Sequence, residues 1–421
     1  GYFVNTTSGE IDVTLPAGTA GDVVAIKDYA NTFDTNNCIL VQNGSDKIGG
    51  STVNATLNTE GLAVTLVFVD STQGWLVTDS GLQSEAPTNS FITATGGTPS
   101  QCGNYEIRTF TGPGTFQVTG LSSTPANNEL EYLIVAGGGG SSGQAYNNTT
   151  GGGAGAGGVR FAAPSLAPLT YPAKPRSAPA GGVTATIASF PIQVGGAGTA
   201  GPCSPSASGG QGGISSALSL TSTGGGFGGQ TPTPAGSGGS GGGIGGPGIA
   251  SMPPSSLGIG NTPPVSPSQG SNGGVGAKFP TNPQPDDNIG GGGGGGFMNV
   301  GLDAGPGNTP GSGAGDGGVG GGFPNGFGSS NGESSGGFRY FGGGGGGGTY
   351  VPNALSNPGG VGGLGGGGDG RAGCAPNRIG EAGTDNTGGG GGAPGGSGSP
   401  STNIPGIAGG SGIVVIRYKF Q

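Results

Sequence analysis

The chain has 421 residues, of which 111 are glycine and 33 are proline; only 8% are charged, and the net charge is −9. It contains no histidine, which excludes a Ser-His-Asp triad and any site that uses histidine as metal ligand or general base. The 12 lysines and arginines are scattered and form no basic patch for a phosphate backbone, so nucleic acid is not an expected partner. No apolar run approaches the length of a membrane span, so we also expect no membrane insertion.

Residues 1–82 are predicted to form a small β-sandwich module. Short apolar segments recur there at regular spacing, and turn sequences rich in Gly, Asn and Ser separate them. The predicted strands are Tyr2–Thr7, Ile11–Leu15, Val23–Lys27, Cys38–Gln42, Ala63–Val69 and Trp75–Thr78. The segment Ala63–Val69 is apolar at nearly every position, which predicts a central strand covered on both faces. Trp75 is expected to fill the core, with a ligand platform as the alternative.

Residues 83–90 resemble a linker in composition, and residues 91–136 carry three further predicted strands. These are Tyr105–Phe110, Gly114–Val118 and Glu129–Ala136. The last segment of the chain, residues 412–421, is rich in β-branched residues and is predicted to pair near Glu131–Val135. Both ends of the glycine-rich region between them would then be anchored in one sheet, which would fix a register that glycine runs cannot specify.

Residues 137–411 cannot form an ordinary core, because glycine has no side chain to bury and loses the most conformational freedom on folding. Glycine is not at every third position, and a run such as Gly342–Gly348 therefore excludes collagen. We predict a bundle of polyglycine-II rods: extended left-handed helices with three residues per turn, which pair sideways through their backbones. The expected fold class is all-β, with a β unit holding this bundle and almost no α-helix.

Proline-rich inserts interrupt the glycine-rich part, and four separated cysteines are spread along the whole chain. The inserts Pro164–Pro179 and Pro253–Pro285 leave the number of rods open and are expected to pack on the side of the bundle or to lie at its tip. Cys38, Cys102, Cys203 and Cys374 show no metal-binding spacing, and free thiols are expected, with a Cys203–Cys374 pair as the alternative.

Several motifs resemble a glycine-rich domain of bacteriophage tail fibres and adhesins. They are EYLIVAGGGGS at 131–141, IQVGGAG at 192–198, SSALSLTSTGGGFGG at 215–229, NTGGGGG at 386–392 and GGSGIVVIRY at 409–418, in the same order as in that domain. The segments at 3–37 and 56–77 also resemble a module repeated in such fibres. The resemblance implies a virion protein for attachment to a host cell, with a polyglycine-II core, variable receptor-binding loops and a homotrimeric assembly with other fibre or virion proteins.

Apparent catalytic motifs in the glycine-rich part are expected to be coincidental. A GxSxG match at 238–242 has no histidine partner, and a GxGxxG match at 153–158 is followed by prolines where a dinucleotide site needs a helix. The carboxylates Glu333, Asp369, Glu381 and Asp385 are scattered. Asp286 and Asp287 are adjacent, with a calcium site as the alternative to plain solubility. We therefore predict no enzyme and no cofactor.

Aromatic residues next to the glycine runs are the candidate receptor contacts. Rods without side chains would place such groups at their ends, where rings on a rigid scaffold can stack on sugars or fill a partner's pocket. The alternative is that they exclude water from the rod ends as hydrophobic plugs. The candidates are Phe297, Met298, Phe323, Phe327, Phe338, Tyr340, Phe341 and Tyr350.

The sequence thus favours a virion fibre that recognises a host-surface glycan or outer-membrane receptor. Two alternatives remain open: a purely structural capsid or neck fibre without receptor binding, and a bacterial extracellular filament or surface adhesin.

Overall fold

The computed structural model describes residues 1–82, 90–143, 149–203, 208–246, 254–279, 288–305, 313–350, 358–373, 379–396 and 404–421. These residues form an all-β protein, as predicted. Their only helical elements are single 3-10 turns at Pro125–Asn127, Lys174–Arg176, Pro254–Ser256 and Asn325–Phe327. The chain divides into two compact units, Gly1–Asn89 and Ser90–Gln421, each with its own core. The predicted linker falls outside the described residues except for Ser90.

The N-terminal unit consists of two small sheets. Its strands are β1 (Tyr2–Val4), β2 (Ile11–Thr14), β3 (Val23–Asp28), β4 (Cys38–Val41), β5 (Ala55–Leu57), β6 (Leu62–Asp70) and β7 (Gly74–Leu82). One sheet has the order β1-β3-β6-β7 and the other β2-β4-β5. The first pair in each sheet is parallel and the remaining pairs are antiparallel. All six predicted strands are present, and β5 was not predicted.

Side chains from both sheets meet in one hydrophobic core. Trp75 is completely buried in it and meets the Phe68 ring edge-on at 5.5 Å, which confirms the core interpretation. The central position of β6 is also confirmed, but the expectation that both its faces are covered was wrong. Val64, Leu66 and Phe68 are buried, whereas Val69 on the other face is exposed. β6 pairs antiparallel with both of its neighbours, and such strands commonly pack one face on the core and leave the other toward solvent.

The second unit combines a six-stranded sheet with several small ones. Its strands are β8 (Thr93–Thr95), β9 (Thr98–Cys102), β10 (Tyr105–Phe110), β11 (Gly114–Gly120), β12 (Glu129–Val135), β13 (Val159–Ala162), β14 (Val183–Thr184), β15 (Ser189–Ile192), β16 (Ser215–Ala217), β17 (Leu220–Ser222), β18 (Ala277–Phe279), β19 (Asn288–Gly290), β20 (Gly321–Phe323), β21 (Glu333–Ser335), β22 (Phe338–Phe341), β23 (Thr349–Tyr350) and β24 (Ile413–Lys419). The main sheet has the order β13-β12-β24-β10-β9, and β14 pairs with the start of β12.

The last strand of the chain lies in the middle of the main sheet. β24 pairs antiparallel with β12, with Leu133 opposite Val415, and on its other side with β10. This is the pairing predicted from the β-branched C-terminal segment. Alternate residues of β12 enter different hydrophobic clusters, Tyr132 and Ile134 in one and Leu133 and Val135 in the other, so both faces of the sheet are covered.

Three glycine-rich segments form the centre of a bundle: the central rods 151–158, 290–296 and 342–348. The six consecutive amides of 291–296 donate, in order, at 2.8–2.9 Å to the carbonyls of Gly348, Ile244, Leu302, Gly345, Gly241 and Asn299. Amides three residues apart therefore donate to the same neighbouring segment. The carbonyls of this rod accept from three further segments, through Gly315, Gly153, Gly274, Gly318, Ala156 and Ser271. A three-residue repeat with six neighbours is the geometry of a polyglycine-II rod inside a hexagonal bundle.

Close approach of the rods explains the glycine runs. A Cβ atom at Gly294 would lie 1.9 Å from the carbonyl oxygen of Ala154, and one at Gly345 would lie 2.2 Å from that of Gly391. No real Cβ contact is that short, so these positions require glycine for space. Backbone hydrogen bonds therefore supply in the bundle the contacts that side chains supply in an ordinary core.

Rods at the surface of the bundle carry a side chain at one position in three. In the segment 358–364, Val361 and Leu364 are exposed, while Gly360 and Gly363, each directly before one of them, are buried. The threefold helix directs successive residues 120° apart. In such a rod, two of these three directions face neighbouring rods and the third faces solvent. The proline-rich insert at 253–285 supplies a rod of this kind at 270–276, while the insert at 164–179 packs beside the sheet through Leu166 and Tyr171.

Candidate functional site

The bundle has two different ends. At one end the rods are continuous with the main sheet: β12 runs directly into the rod that starts at Gly137, the central rod 151–158 runs into β13, and Gly412 leads into β24. We call this the sheet end and the opposite one the distal end. At a rise of about 3.1 Å per residue, a seven-residue rod separates the two ends by roughly 20 Å.

Four of the eight candidate aromatic residues are buried together at the sheet end. Phe297, Phe323, Phe327 and Phe341 are at most 1% exposed and pack with residues of β12, β13 and β24. Their rings make edge-on contacts, with centroids of Phe323 and Phe341 separated by 5.9 Å. These four rings lie at rod ends as expected, but they have the environment of the hydrophobic plug and not that of exposed contact residues.

Arg176 caps the central rod 290–296 at the sheet end by donating to backbone carbonyls there. The sequence did not reveal this role. Its guanidinium donates to the carbonyls of Phe297 and Met298 and to the Ser271 hydroxyl, and its carbon lies 5.2 Å from the Phe297 ring centroid. Burial lowers the pKa of Arg176. Two of these three hydrogen bonds satisfy the backbone carbonyls of Phe297 and Met298 at the rod end, as buried backbone groups require.

The other four candidates are divided between the two ends. Met298 and Phe338 pack against the plug and are partly buried, and Tyr340 on β22 is also half-buried. Tyr350 follows the central rod 342–348 at the distal end, where it is 4% exposed and pairs with Ile289. The eight residues therefore do not form one site. Tyr340 and Tyr350 flank the same rod at opposite ends.

The distal end is where the chain repeatedly leaves the described residues. The described residues that flank these gaps bond to one another: Gly201 donates to Ser141 at 3.0 Å, Gly406 donates to Gly201 at 2.8 Å, and Gly396 donates to Thr349 at 2.9 Å. The gaps are 144–148, 204–207, 247–253, 280–287, 306–312, 351–357, 374–378 and 397–403. All eight begin and end on this one end of the bundle.

Carboxylates along the bundle surface accept hydrogen bonds from backbone amides that face no further rod. Asp316 accepts from Val361 at 2.7 Å, Asp369 from Gly362 at 2.7 Å, and Glu333 from two consecutive glycine amides at 2.6 and 2.8 Å. Asp385 similarly accepts from Ser411, and Glu381 pairs with Arg371. These acids hold surface rods in place and do not converge on one point.

Other sequence-predicted groups are dispersed. Asp286 and Asp287 lie outside the described residues, as does Cys374. The thiols of Cys38, Cys102 and Cys203 are free, and burial raises the pKa of the Cys38 thiol to about 11. Within the described ranges, no three His, Cys, Asp or Glu side chains are grouped in a way that could hold a metal ion. The described residues also include no helix long and apolar enough to cross a membrane.

Comparison with known families agrees with the architecture. The model of a family described as "Glycine-rich domain" matches residues 109–419, which include β12, β13 and β24 of the main sheet, the end of β10 and the whole rod bundle. Among the curated proteins, none matches the chain. The match begins within β10 and ends at the last residue of β24, so the β unit and the bundle together correspond to the family's domain. The chain belongs to this glycine-rich domain family.

Proposed function

We propose that the chain is a virion fibre protein, a bacteriophage tail fibre or adhesin without enzymatic activity, whose distal end contacts a receptor on the host-cell surface. The N-terminal unit would join it to other fibre or virion proteins, in a homotrimeric assembly. The motifs shared with phage fibres and the membership in a glycine-rich domain family support this proposal.

The observation that carries the proposal is that the described rod ends beside eight connections all lie on one end of the bundle. A rod bundle in which successive backbone amides bond to different neighbouring rods is stiff, because its segments cannot move without breaking several hydrogen bonds. Binding residues are commonly carried by loops that a rigid scaffold positions. A stiff bundle whose described rods meet these connections at one end therefore suits the display of a contact surface away from a particle.

The structural alternative, a fibre without receptor binding, also has support. Four of the aromatic candidates fill a plug at the sheet end, where they stabilise the bundle and are not accessible to a partner.

Adsorption of particles to host cells distinguishes the two. In one variant, residues 280–287 are exchanged for a Gly-Ser sequence of equal length; in the control, Tyr340→Ala changes a half-buried side chain at the sheet end. The display proposal expects at least tenfold slower adsorption for the exchange and unchanged adsorption for Tyr340→Ala. Unchanged adsorption after exchange of each distal segment in turn would support the purely structural fibre.

Antibody labelling of particles against residues 137–411 tests the virion location.

A further inference from the structure

A cleft of about 750 Å³ lies beside the plug at the sheet end, away from the distal connections. We call it the turn cleft, because it is lined by the β9–β10 turn, the segment 165–168 after β13, the 3-10 turn Asn325–Phe327, the β21–β22 turn and Arg417 of β24. Its volume falls within the range of about 300–1,000 Å³ that is typical of small-molecule sites.

Arg417 forms a buried cationic floor whose charge is already balanced. It is 4% exposed, pairs with Glu131, donates to the Ser165 hydroxyl at 3.1 Å, and stacks at 3.6 Å on the ring of Tyr105. Its Nε atom is buried and has no hydrogen-bond partner among the described residues. Buried donors are nearly always hydrogen-bonded, so an acceptor on a bound ligand would satisfy this Nε group. Because Glu131 neutralises the charge, that acceptor need not be an anion.

The walls combine ring faces with amide groups. Tyr105 and Phe338 are half-buried and offer apolar surface, and Asn104 and Asn325 are exposed at the mouth. The Asn104 amide offers both donors and an acceptor, and the Asn325 amide offers its two donors because its oxygen accepts from Arg339 at 3.4 Å. These groups match the hydroxyl groups of a sugar, while C–H faces of a sugar ring pack on aromatic side chains. Among the lining residues that the structure describes, Arg417 is the one charged side chain and Glu131 balances it, so this lining offers no unpaired cation to a carboxylated sugar.

We propose that the turn cleft binds a neutral saccharide of one or two sugar units, stacked on Phe338 and hydrogen-bonded by Asn104, Asn325 and the Arg417 floor. This site is separate from the distal end and does not depend on the function proposed for it.

The first test uses the full chain on an array of neutral disaccharides that end in glucose, galactose, mannose or N-acetylglucosamine, with the glucuronate-containing counterparts beside them. Binding to at least one neutral disaccharide, and not to its carboxylated counterpart, is expected. Phe338→Ala and Asn325→Ala should each weaken it at least tenfold; Tyr29→Ala, which removes an exposed ring of the N-terminal unit, should not. Asn325 is exposed, so its variant tests the cleft without removing core packing.

Two exposed cysteines provide an independent test. Cys102 lines the turn cleft, whereas Cys203 lies next to a distal gap. Under limiting maleimide, the bound disaccharide should slow modification of Cys102 severalfold and leave Cys203 unaffected, as read by peptide mass spectrometry. The proposal is wrong if no neutral disaccharide binds, or if binding survives both cleft variants. Retained binding after exchange of residues 280–287 would separate this site from the distal one even if adsorption were lost.

Discussion

Asp28 shows how a single buried carboxylate organises the N-terminal unit. It is 1% exposed and accepts backbone hydrogen bonds from Thr32, Phe33 and Gly61 at 3.0–3.2 Å. Burial alone would raise the pKa of Asp28, but the backbone donors outweigh it, so the pKa lies below its usual value of 3.8. The folded unit therefore stabilises the charged form of the Asp28 carboxylate.

Asp28→Asn should destabilise the N-terminal unit by about 1–3 kcal/mol at neutral pH, because an amide presents only one acceptor oxygen to three donors. Since the folded pKa is lowered, the contribution of Asp28 is present above pH 3.8 and disappears as the pH falls through the folded value. The difference between wild type and variant should thus shrink in acid.

Urea unfolding followed by Trp75 fluorescence measures this difference, because Trp75 is the only tryptophan and lies in this unit. Asp34→Asn, at an exposed position, serves as the control and should leave the free energy of unfolding unchanged. Equal effects of the two substitutions would contradict the role given to Asp28.

At the scale of the element, the amino-acid sequence of a rod indicates whether the rod lies at the centre or at the surface of the bundle. A rod with neighbours on all sides consists of glycine, as in Gly290–Gly296 and Gly342–Gly348, or of glycine with alanine, as in 151–158. A rod at the surface carries a larger residue at every third position, as Val361 and Leu364 do. The rule follows from the threefold helix, because a side chain larger than that of alanine has room only in the direction without a neighbouring rod.

Gly345→Ala should therefore destabilise the second unit by about 3 kcal/mol, because its Cβ would meet the carbonyl oxygen of Gly391 at 2.2 Å and the backbone would have to shift. Gly196→Ala is the matched control: Gly196 is exposed, also lies in a rod, and has no atom within 4 Å of the added carbon. Calorimetric melting of the two variants compares them. A loss of similar size for Gly196→Ala would indicate that glycine is needed for its backbone conformation and not for space.

At the scale of the molecule, the main sheet holds the bundle through strands that are far apart in sequence. β24 lies between β12 and β10, so its removal would leave two separated halves of the sheet with unpaired edges. The rods that continue from these strands would lose the register that the sheet sets, since the glycine runs cannot supply one.

Deletion of residues 413–421 should therefore abolish the cooperative melting of the second unit and expose residues 137–411 to proteases. The urea transition of Trp75 should stay unchanged, because the N-terminal unit has its own core. Deletion of the exposed Gln421 alone is the control. A melting transition that survives the larger deletion would mean that the rods hold one another without the sheet.

Some features of this protein were determined locally by the sequence. The β-branched segments, the absence of helix-forming stretches and the glycine runs predicted an all-β chain with a rod bundle, and the C-terminal segment predicted its own pairing with β12. These predictions succeeded because backbone preference and side-chain volume act within a few residues.

Other features were decided only by the tertiary structure. Which rods neighbour one another, that all eight gaps share one end, and that Phe297 and Phe341 form a plug while Arg417 forms the floor of a cleft all depend on contacts between distant segments. Glycine runs have no side-chain pattern to specify their partners, so the sequence cannot indicate them. Which rods lie next to one another is set by the main sheet and the surface residues, which fix the position of each rod.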